Sequence, residues 1–331
     1  MSEQHYYALT PDKVLQAIES LGFELDGSLL TLNSYENRVY RVRDYSGKPW
    51  VAKFYRPNRW SVEQILEEHH FALELQEYDV PVVAPYQFSE NETLAEWQGF
   101  LIAIFPGVGG REPELENLDN LEQLGRYLGR LHALGAQRKF IHRPTIDLAS
   151  YGAQSVKFVS ESAYVPSHLT ESYQAITEQI MAHLERIYET YDDAWNIRIH
   201  ADFHPGNILW TESGPNIVDL DDARMGPAIQ DLWMLLGKDI DTLRLRYETI
   251  MEGYNDFFDL PVAQLRFIEP LRTLRMLHYT AWLARRWDDP SFKYHFPWFA
   301  ESRFWEQEIL HLKEQLAMLQ DDTTFERLTS Y

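Results

Sequence analysis

The sequence predicts an α+β chain in two parts, a β-rich portion of about 100 residues and then a larger helical one. Three observations carry that prediction. From Leu29 to Pro106, short apolar runs alternate with turn residues, interrupted by one stretch of helical spacing. From Asn120 onward the leucines recur at helical intervals. Strand texture returns only around residues 197–220, inside the helical part. We therefore expect residues 1–105 to form a lobe with a first helix, an antiparallel sheet and one further helix. Residues 106–331 are expected to form a helical lobe. At 331 residues the chain suits a two-lobed enzyme or two domains, and its 45% apolar and 14% aromatic content is ample for packed interiors.

The elements follow in order. Thr10-Pro11-Asp12 reads as a helix start: a hydroxyl N-cap, Pro at the first helical position, then an acid near the positive end of the dipole. Val14, Ile18 and Leu21 give that helix an apolar face. "NRVYRVRD" and "PWVAKFYR", joined by "YSGK", predict a hairpin. "SVEQILEEHHFALELQEY" predicts a helix, with Ile65, Leu66, Ala72 and Leu75 at near-helical spacing. "DVPVVAPYQF" and "GFLIAIFPG" predict two more strands, the second stopped by Pro106-Gly107. "NLEQLGRYLGRLHALG" sets Leu121, Leu124, Leu128 and Leu131 on one helical face. "IEPLRTLRMLHYTAWLARRW" and "RFWEQEILHLKEQLAMLQ" carry the helical pattern through the C-terminal third, and no internal repeat interrupts it.

Composition narrows the function. The 30 basic and 51 acidic residues give a net charge of -21, which argues against nonspecific binding to nucleic acid or anionic membrane. The absence of cysteine excludes disulfides, thiolate metal sites and cysteine nucleophiles. The opening "MSEQHYYALTPDKV" has no basic region followed by an apolar run, and no stretch approaches the roughly 20 apolar residues of a membrane span. A monomeric cytoplasmic protein is the expectation.

The chemistry concentrates in three segments. "HADFHPGNIL", residues 200–209, gathers two His, an Asp and an Asn. His200, Asp202 and His204 fit a metal site; equally, Asp202 and Asn207 fit the acid/base and metal-binding members of a phosphoryl-transfer loop. "VAKFY" sets Lys53 in a strand, on the same face as Val51. Alone, such a lysine reads as an edge or snorkelling residue. The helix that follows offers Glu68, or failing that Glu67, as its partner, and a lysine held by a glutamate is how kinases aim a cation at nucleotide phosphates. "IVDLDDARMGPAIQDLW" clusters Asp219, Asp221 and Asp222, which repel one another unless a cation binds. Alone, that cluster reads as well as a solvated acidic turn. Between these segments "ILW" and "NIV" flank the turn "TESGPN". A hairpin there returns Asn207 and Asp219 to one end, two oxygen ligands suited to Mg²⁺. Whether Asp221 is a further ligand stays open.

"HADFHPGN", "ILW" and "VDLDD" together resemble the catalytic and metal-binding loops of the aminoglycoside phosphotransferase/choline kinase superfamily, an atypical branch of the protein-kinase fold. "LGRYLGRLHALG" resembles the helix before those loops, and Asp231 in "DLW" the superfamily's structural Asp. More narrowly, "LNSYENRVY", "VAKFYRP", "ILEEH" and "VDLDDARMGPAIQDLWMLL" resemble the stress response kinase A family of bacterial Ser/Thr protein kinases. The resemblance spans about Asn33 to Trp287.

The resemblance implies a bilobal kinase-like fold that uses ATP and Mg²⁺. It makes Asp202 the residue that accepts or orients the acceptor's proton, and Asn207 and Asp219 the Mg²⁺ ligands. Lys53 matches the lysine on the α/β-phosphates, with Glu68 as partner. Ser34, Tyr35, Glu36 and Asn37 match the phosphate-covering loop, Ile104 and Phe105 the adenine-facing hinge, and Val51 a residue over the base. The implied acceptor is a protein Ser or Thr, with autophosphorylation, in stress response. The chain departs from ordinary protein kinases in three ways. "NSYENR" lacks G-x-G-x-x-G, the catalytic loop lacks H-R-D-x-K, and too few residues follow Asp222 for an activation loop.

Other readings stay beside this one. A metal hydrolase would not need the lysine strand, so His200 and His204 are expected to brace the loop. A nucleotide-binding module without activity would be expected to lack Asp202, Asn207 or Asp219. A small-molecule alcohol acceptor, such as an amino alcohol or aminoglycoside, would want an acidic, aromatic pocket. Trp282, Trp287, Tyr294, Phe296, Trp298 and Phe299 are candidates for lining it, although packing of the helical lobe accounts for them as well.

Overall fold

The computed structural model describes residues 9–90, 92–237, 240–321 and 323–329. The first eight residues, part of the opening read above for a targeting signal, lie outside them. The architecture is α+β: a five-stranded antiparallel sheet followed by a larger helical region. By packing, the chain forms two units. One runs through Asn120 and takes in Phe140–Arg143 and Asp202–Ala223; the other comprises Leu121–Lys139, Pro144–Ala201 and the chain from Arg224. Residues 202–223, which carry Asp202, Asn207 and the Asp219–Asp222 cluster, therefore pack with the sheet, although most of the helical part separates them from it in sequence.

In the first unit, helix α1 (Pro11–Ser20) begins as its sequence predicts, with Thr10 as N-cap and Pro11 in the first turn. Strands β1 (Leu25–Leu32), β2 (Arg38–Asp44) and β3 (Pro49–Phe54) are followed by helix α2 (Val62–Glu77), then β4 (Ala95–Trp97) and β5 (Phe100–Pro106). The sheet order is β1-β2-β3-β5-β4. The β2–β3 hairpin pairs Val39 with Lys53 and Arg41 with Val51. Side chains alternate across it. Trp50, Ala52 and Phe54 join Val14, Ala17 and Ile18 of α1 in one core, while Tyr55 packs with Ile65 of α2 and Ala103 of β5 on the other face. Lys53, two residues from Tyr55, therefore points to the face that α2 covers. That helix is firmly started: Ser61 and Gln64 form a reciprocal capping box.

One expected strand is absent. "DVPVVAPYQF" makes a single bridge, Val82 to Ile217, because Pro81 and Pro85 deny it the donors of a continuous ladder. The hairpin around "TESGPN" forms as read: β7 (Ile208–Thr211) pairs antiparallel with β8 (Gly214–Ile217), after the short β6 (Ile197–Ile199) and before β9 (Arg224–Gly226).

The second unit is helical apart from the β6–β9 pair. Leu121, Leu124, Leu128 and Leu131 are all fully buried on the helix Leu118–Gly135. Trp287, Phe296 and Phe299 sit in its hydrophobic core with Trp305 and Tyr173, and Trp282 packs against them. Packing thus accounts for these aromatics, whereas Tyr294 is exposed.

Candidate active site

The residues before Asp202 are held from below. Ala201 takes left-handed backbone, φ 69°, a conformation that costs a residue with a Cβ about 1–3 kcal/mol. The buried Asp231 carboxylate offsets that cost by accepting from the amides of His200 at 2.9 Å and Ala201 at 2.7 Å. His132 contacts the same carboxylate at 3.1 Å. Asp202 follows, and the turn after it closes on His204, whose Nδ1 accepts from the Gly206 amide at 3.0 Å and whose Nε2 lies 3.5 Å from Asp202 Oδ2. Asn207 donates its Nδ2 to the Asp202 carbonyl at 2.9 Å, so its Oδ1 is the atom that could serve a cation.

The β7–β8 hairpin then does what its sequence predicts. The Val218 amide donates to the Asn207 carbonyl at 3.0 Å, so Asp219 emerges next to Asn207. Asp219 is itself left-handed, φ 61°, and its side chain is 55% exposed. Lys53 is nearly buried, with its Nζ 3.1 Å from Asp219 and 2.9 Å from Asp221. Burial alone would lower the lysine's pKa, but Asp221 and Asp219 outweigh it and hold the ammonium well above its ordinary range. The same balance applies to Asp221. Burial would raise its carboxyl, and Arg59 and Lys53 more than reverse that, to about 2. Arg59 pairs with Asp221 and also with Asp222 at 2.9 Å. Asp221 is thus committed to two cations.

The expected Lys53–Glu68 ion pair does not form among the described residues. The buried Glu68 carboxylate faces Arg143 at 3.4 Å instead. Burial pushes its pKa up to about 7, against the pull of Lys53 and Arg143. Glu67 accepts backbone amides and does not reach the lysine. Behind Lys53, Tyr55 Oη meets His69 Nε2 at 2.8 Å, and burial pushes the His69 pKa down to about 3, leaving the ring neutral.

Some of these groups line a cavity of about 380 Å³, within the ligand-sized range of roughly 300–1,000 Å³; Asp202 and Asp221 are not in its wall. Val51, Lys53, Glu68, Asn207 and Asp219 all line it, as do Ser34 and Phe105. Ile104 does not: its carbonyl is taken by the Tyr86 amide at 2.6 Å and its side chain lies in the sheet core. Tyr35, Glu36 and Asn37 are not in the wall either. Arg56 holds their loop, donating to the carbonyls of Glu36 at 2.9 Å and Tyr35 at 3.1 Å, while its amide donates to Asn37 Oδ1. Sequence reading missed Arg56, Arg59 and Arg143 as organisers of the site. The first two had a signal, lying in "YRPNRW" directly after the lysine strand. It missed much of the apolar wall as well, including Leu32, Val39, Ala72, Leu209 and Val218.

Among the described residues, no group of three or more His, Asp or Glu side chains forms a ready metal cage. One carboxylate and one amide oxygen can instead hold a hard cation that keeps waters and substrate oxygens as its other ligands.

Comparison with known proteins fits this geometry. A model of the phosphotransferase enzyme family matches residues 29–271. Stress response kinase A of Escherichia coli (strain K12) is 45% identical over 316 residues, 96% of this chain and 95% of its own length. The protein called serine/threonine protein kinase RdoA in Salmonella typhimurium (strain LT2) matches at 45% over the same shares. Among solved structures, amicoumacin kinase hAmiN in complex with AMP-PNP superposes with a TM-score of 0.72 at 20% identity, covering 91% of this chain and 95% of that one. Choline kinase LicA from Streptococcus pneumoniae gives 0.62 at 13%, covering 93% and 99%. At those identities the structures speak for the fold, which is protein-kinase-like. The sequence relatives, with the family model, speak for descent: the chain belongs to the phosphotransferase enzyme family, as a member of its stress response kinase A branch.

Proposed function

We propose that this phosphotransferase moves the γ-phosphoryl group of ATP, with Mg²⁺, to Ser or Thr hydroxyls of protein, its own included. The observation that carries the reading is the convergence on one cavity of Lys53, Asn207 and Asp219, with Asp202 joined to Asn207 by a hydrogen bond. The apolar walls from Val51, Val39 and Leu209 suit a flat base. Lys53 has three N–H donors; one goes to Asp219 while Asp221 pairs with the ammonium by charge, which leaves the lysine able to donate to a phosphate oxygen.

The exposed Asp219 carboxylate and the Asn207 Oδ1 fit a magnesium ion, which when bound supplies neutralisation of phosphate charge. The acceptor hydroxyl's proton goes to, or is oriented by, the Asp202 carboxylate while its oxygen bonds to the γ-phosphorus. The bond to the bridging oxygen breaks and ADP leaves. Protein is favoured as acceptor because a relative at 45% identity over nearly the whole chain bears the name of a Ser/Thr protein kinase.

The test is incubation of purified protein with γ-labelled ATP and Mg²⁺, alone, with added protein, and with a panel of amino alcohols and aminoglycosides. Label on Ser or Thr is expected. Label on small molecules alone moves the acceptor to a metabolite, and no transfer to anything overturns the reading.

A further inference from the structure

Glu67, which does not reach Lys53, is engaged by the backbone of residues 141–143. Its Oε1 accepts from the Ile141 amide at 2.6 Å, and its Oε2 from the amides of His142 at 2.9 Å and Arg143 at 2.8 Å. Gln64, one turn earlier, donates its Nε2 to the His142 carbonyl at 2.9 Å. Phe140 packs edge-on against Phe71 of the same helix. Residues Phe140–Arg143 are thereby fastened to α2 within the first unit, although the chain on either side of them belongs to the second.

What that fastening delivers is the Arg143 guanidinium. It is buried, and its Nε donates to the Gln64 carbonyl at 2.7 Å. Its Nη1 donates to two carbonyls of the metal turn, Asp221 at 2.8 Å and Ala223 at 2.7 Å. Its Nη2 meets Glu68 at 3.4 Å, and its Cζ lies 4.6 Å from the Trp60 ring centre. One cation therefore bonds α2 on one edge and the backbone just after Asp219 on the other. That backbone is a short 3-10 turn, Leu220–Asp222, entered through a left-handed aspartate. Such a turn has too few bonds of its own to fix the direction of the Asp219 side chain.

We propose that Arg143, seated by Glu67, is a positioning residue for the metal-binding turn: it locks residues 219–223 to α2 with the Asp219 carboxylate aimed at the cavity. The lock takes the place of the phosphorylated segment that orders the corresponding parts in kinases with an activation loop. It rests on the reading of Asp219 as a metal ligand. The rigid fork of arginine is essential to it, because a lysine offers no planar set of donors to bridge Gln64, Asp221 and Ala223 together.

The test is calorimetric titration of ADP into the full chain with and without Mg²⁺, for the wild type and for Arg143→Ala, Arg143→Lys and Glu67→Gln. Melting curves serve as the control for folding. The readout is the ratio of the two affinities, which a purely structural role would leave alone in any variant that still folds. We expect the wild-type ratio to exceed one. Partners behind a metal ligand typically change metal affinity by about 10–100-fold, so the ratio should fall by about tenfold in both Arg143 variants while metal-free affinity stays within about twofold. Glu67→Gln should lower it less, since one acceptor oxygen remains. Should Arg143→Ala fail to fold, the lysine and Glu67 variants decide. A wild-type ratio retained by folded Arg143→Lys or by Arg143→Ala overturns this proposal alone. A ratio of one in the wild type overturns the metal site itself, and this proposal with it.

Discussion

Ala201, just before Asp202, and Asp219 are both left-handed, at φ 69° and 61°, but the two turns are held by opposite means. At the first, a buried carboxylate, Asp231, gathers backbone amides. At the second, cations gather carboxylates and carbonyls: Lys53 and Arg59 take Asp221, and Arg143 takes the main chain. The first arrangement uses neutral donors and has no reason to respond to what enters the cavity. The second is made of charges that a bound nucleotide and its cation would compete for. The left-handed backbone at Ala201 is therefore set by fixed partners, and that at Asp219 by charges that ligands can compete for.

The comparison breaks most severely at the metal turn. Asp219→Ala should abolish Mg²⁺-dependent transfer and weaken Mg·ATP binding far more than binding of metal-free ATP. Asn207→Ala should act in the same direction less strongly, since a neutral amide oxygen attracts the cation less than a carboxylate does. Calorimetry with unchanged Mg²⁺ dependence in both would remove the pair from the metal site.

At the other turn the expected loss is in stability. Asp231→Ala removes the carboxylate beside His132 and strips two buried amides of their acceptor, and should cost about 1–3 kcal/mol for each group left unsatisfied in urea unfolding. A loss under about 1 kcal/mol, the net worth of an ordinary hydrogen bond, would mean that the left-handed Ala201 needs no such brace.

The smallest effect tests the charged side. Glu68 has its pKa raised to about 7, so the folded state holds its proton where the unfolded chain has lost it. Its contribution to stability is fully present below the ordinary glutamate range and is lost as pH rises through about 7. Without nucleotide, the wild type should lose stability relative to Glu68→Gln between about pH 5 and 7.5. Equal changes in the two proteins over that window would show that Glu68 does not carry the proton.

Much of this was legible in the sequence because it is local. The Asn207–Asp219 approach needs only two short strands and a turn, and the facing of Val51 and Lys53 needs only the alternation of a strand. The wrong partner for Lys53 shows the limit. Four carboxylates, Glu67, Glu68, Asp219 and Asp221, lie in segments that the fold brings together, and the choice among them turns on the left-handed backbone at Asp219 and on where Arg143 arrives. Arg143 comes from a segment with no periodicity or motif of its own. Ile104 was misjudged for a related reason: its carbonyl is used by Tyr86, from a stretch read as a strand that its prolines prevent.

The central claim, that Asp202 handles the acceptor's proton in a site that is otherwise complete, is tested most directly by single-turnover transfer from γ-labelled ATP in Asp202→Asn, with Mg·ADP affinity measured in parallel. The account predicts a rate lower by about 10²-fold or more, because a positioned acid or base contributes roughly 10²–10⁴, with nucleotide affinity and melting temperature unchanged. Transfer at a near-normal rate would contradict it.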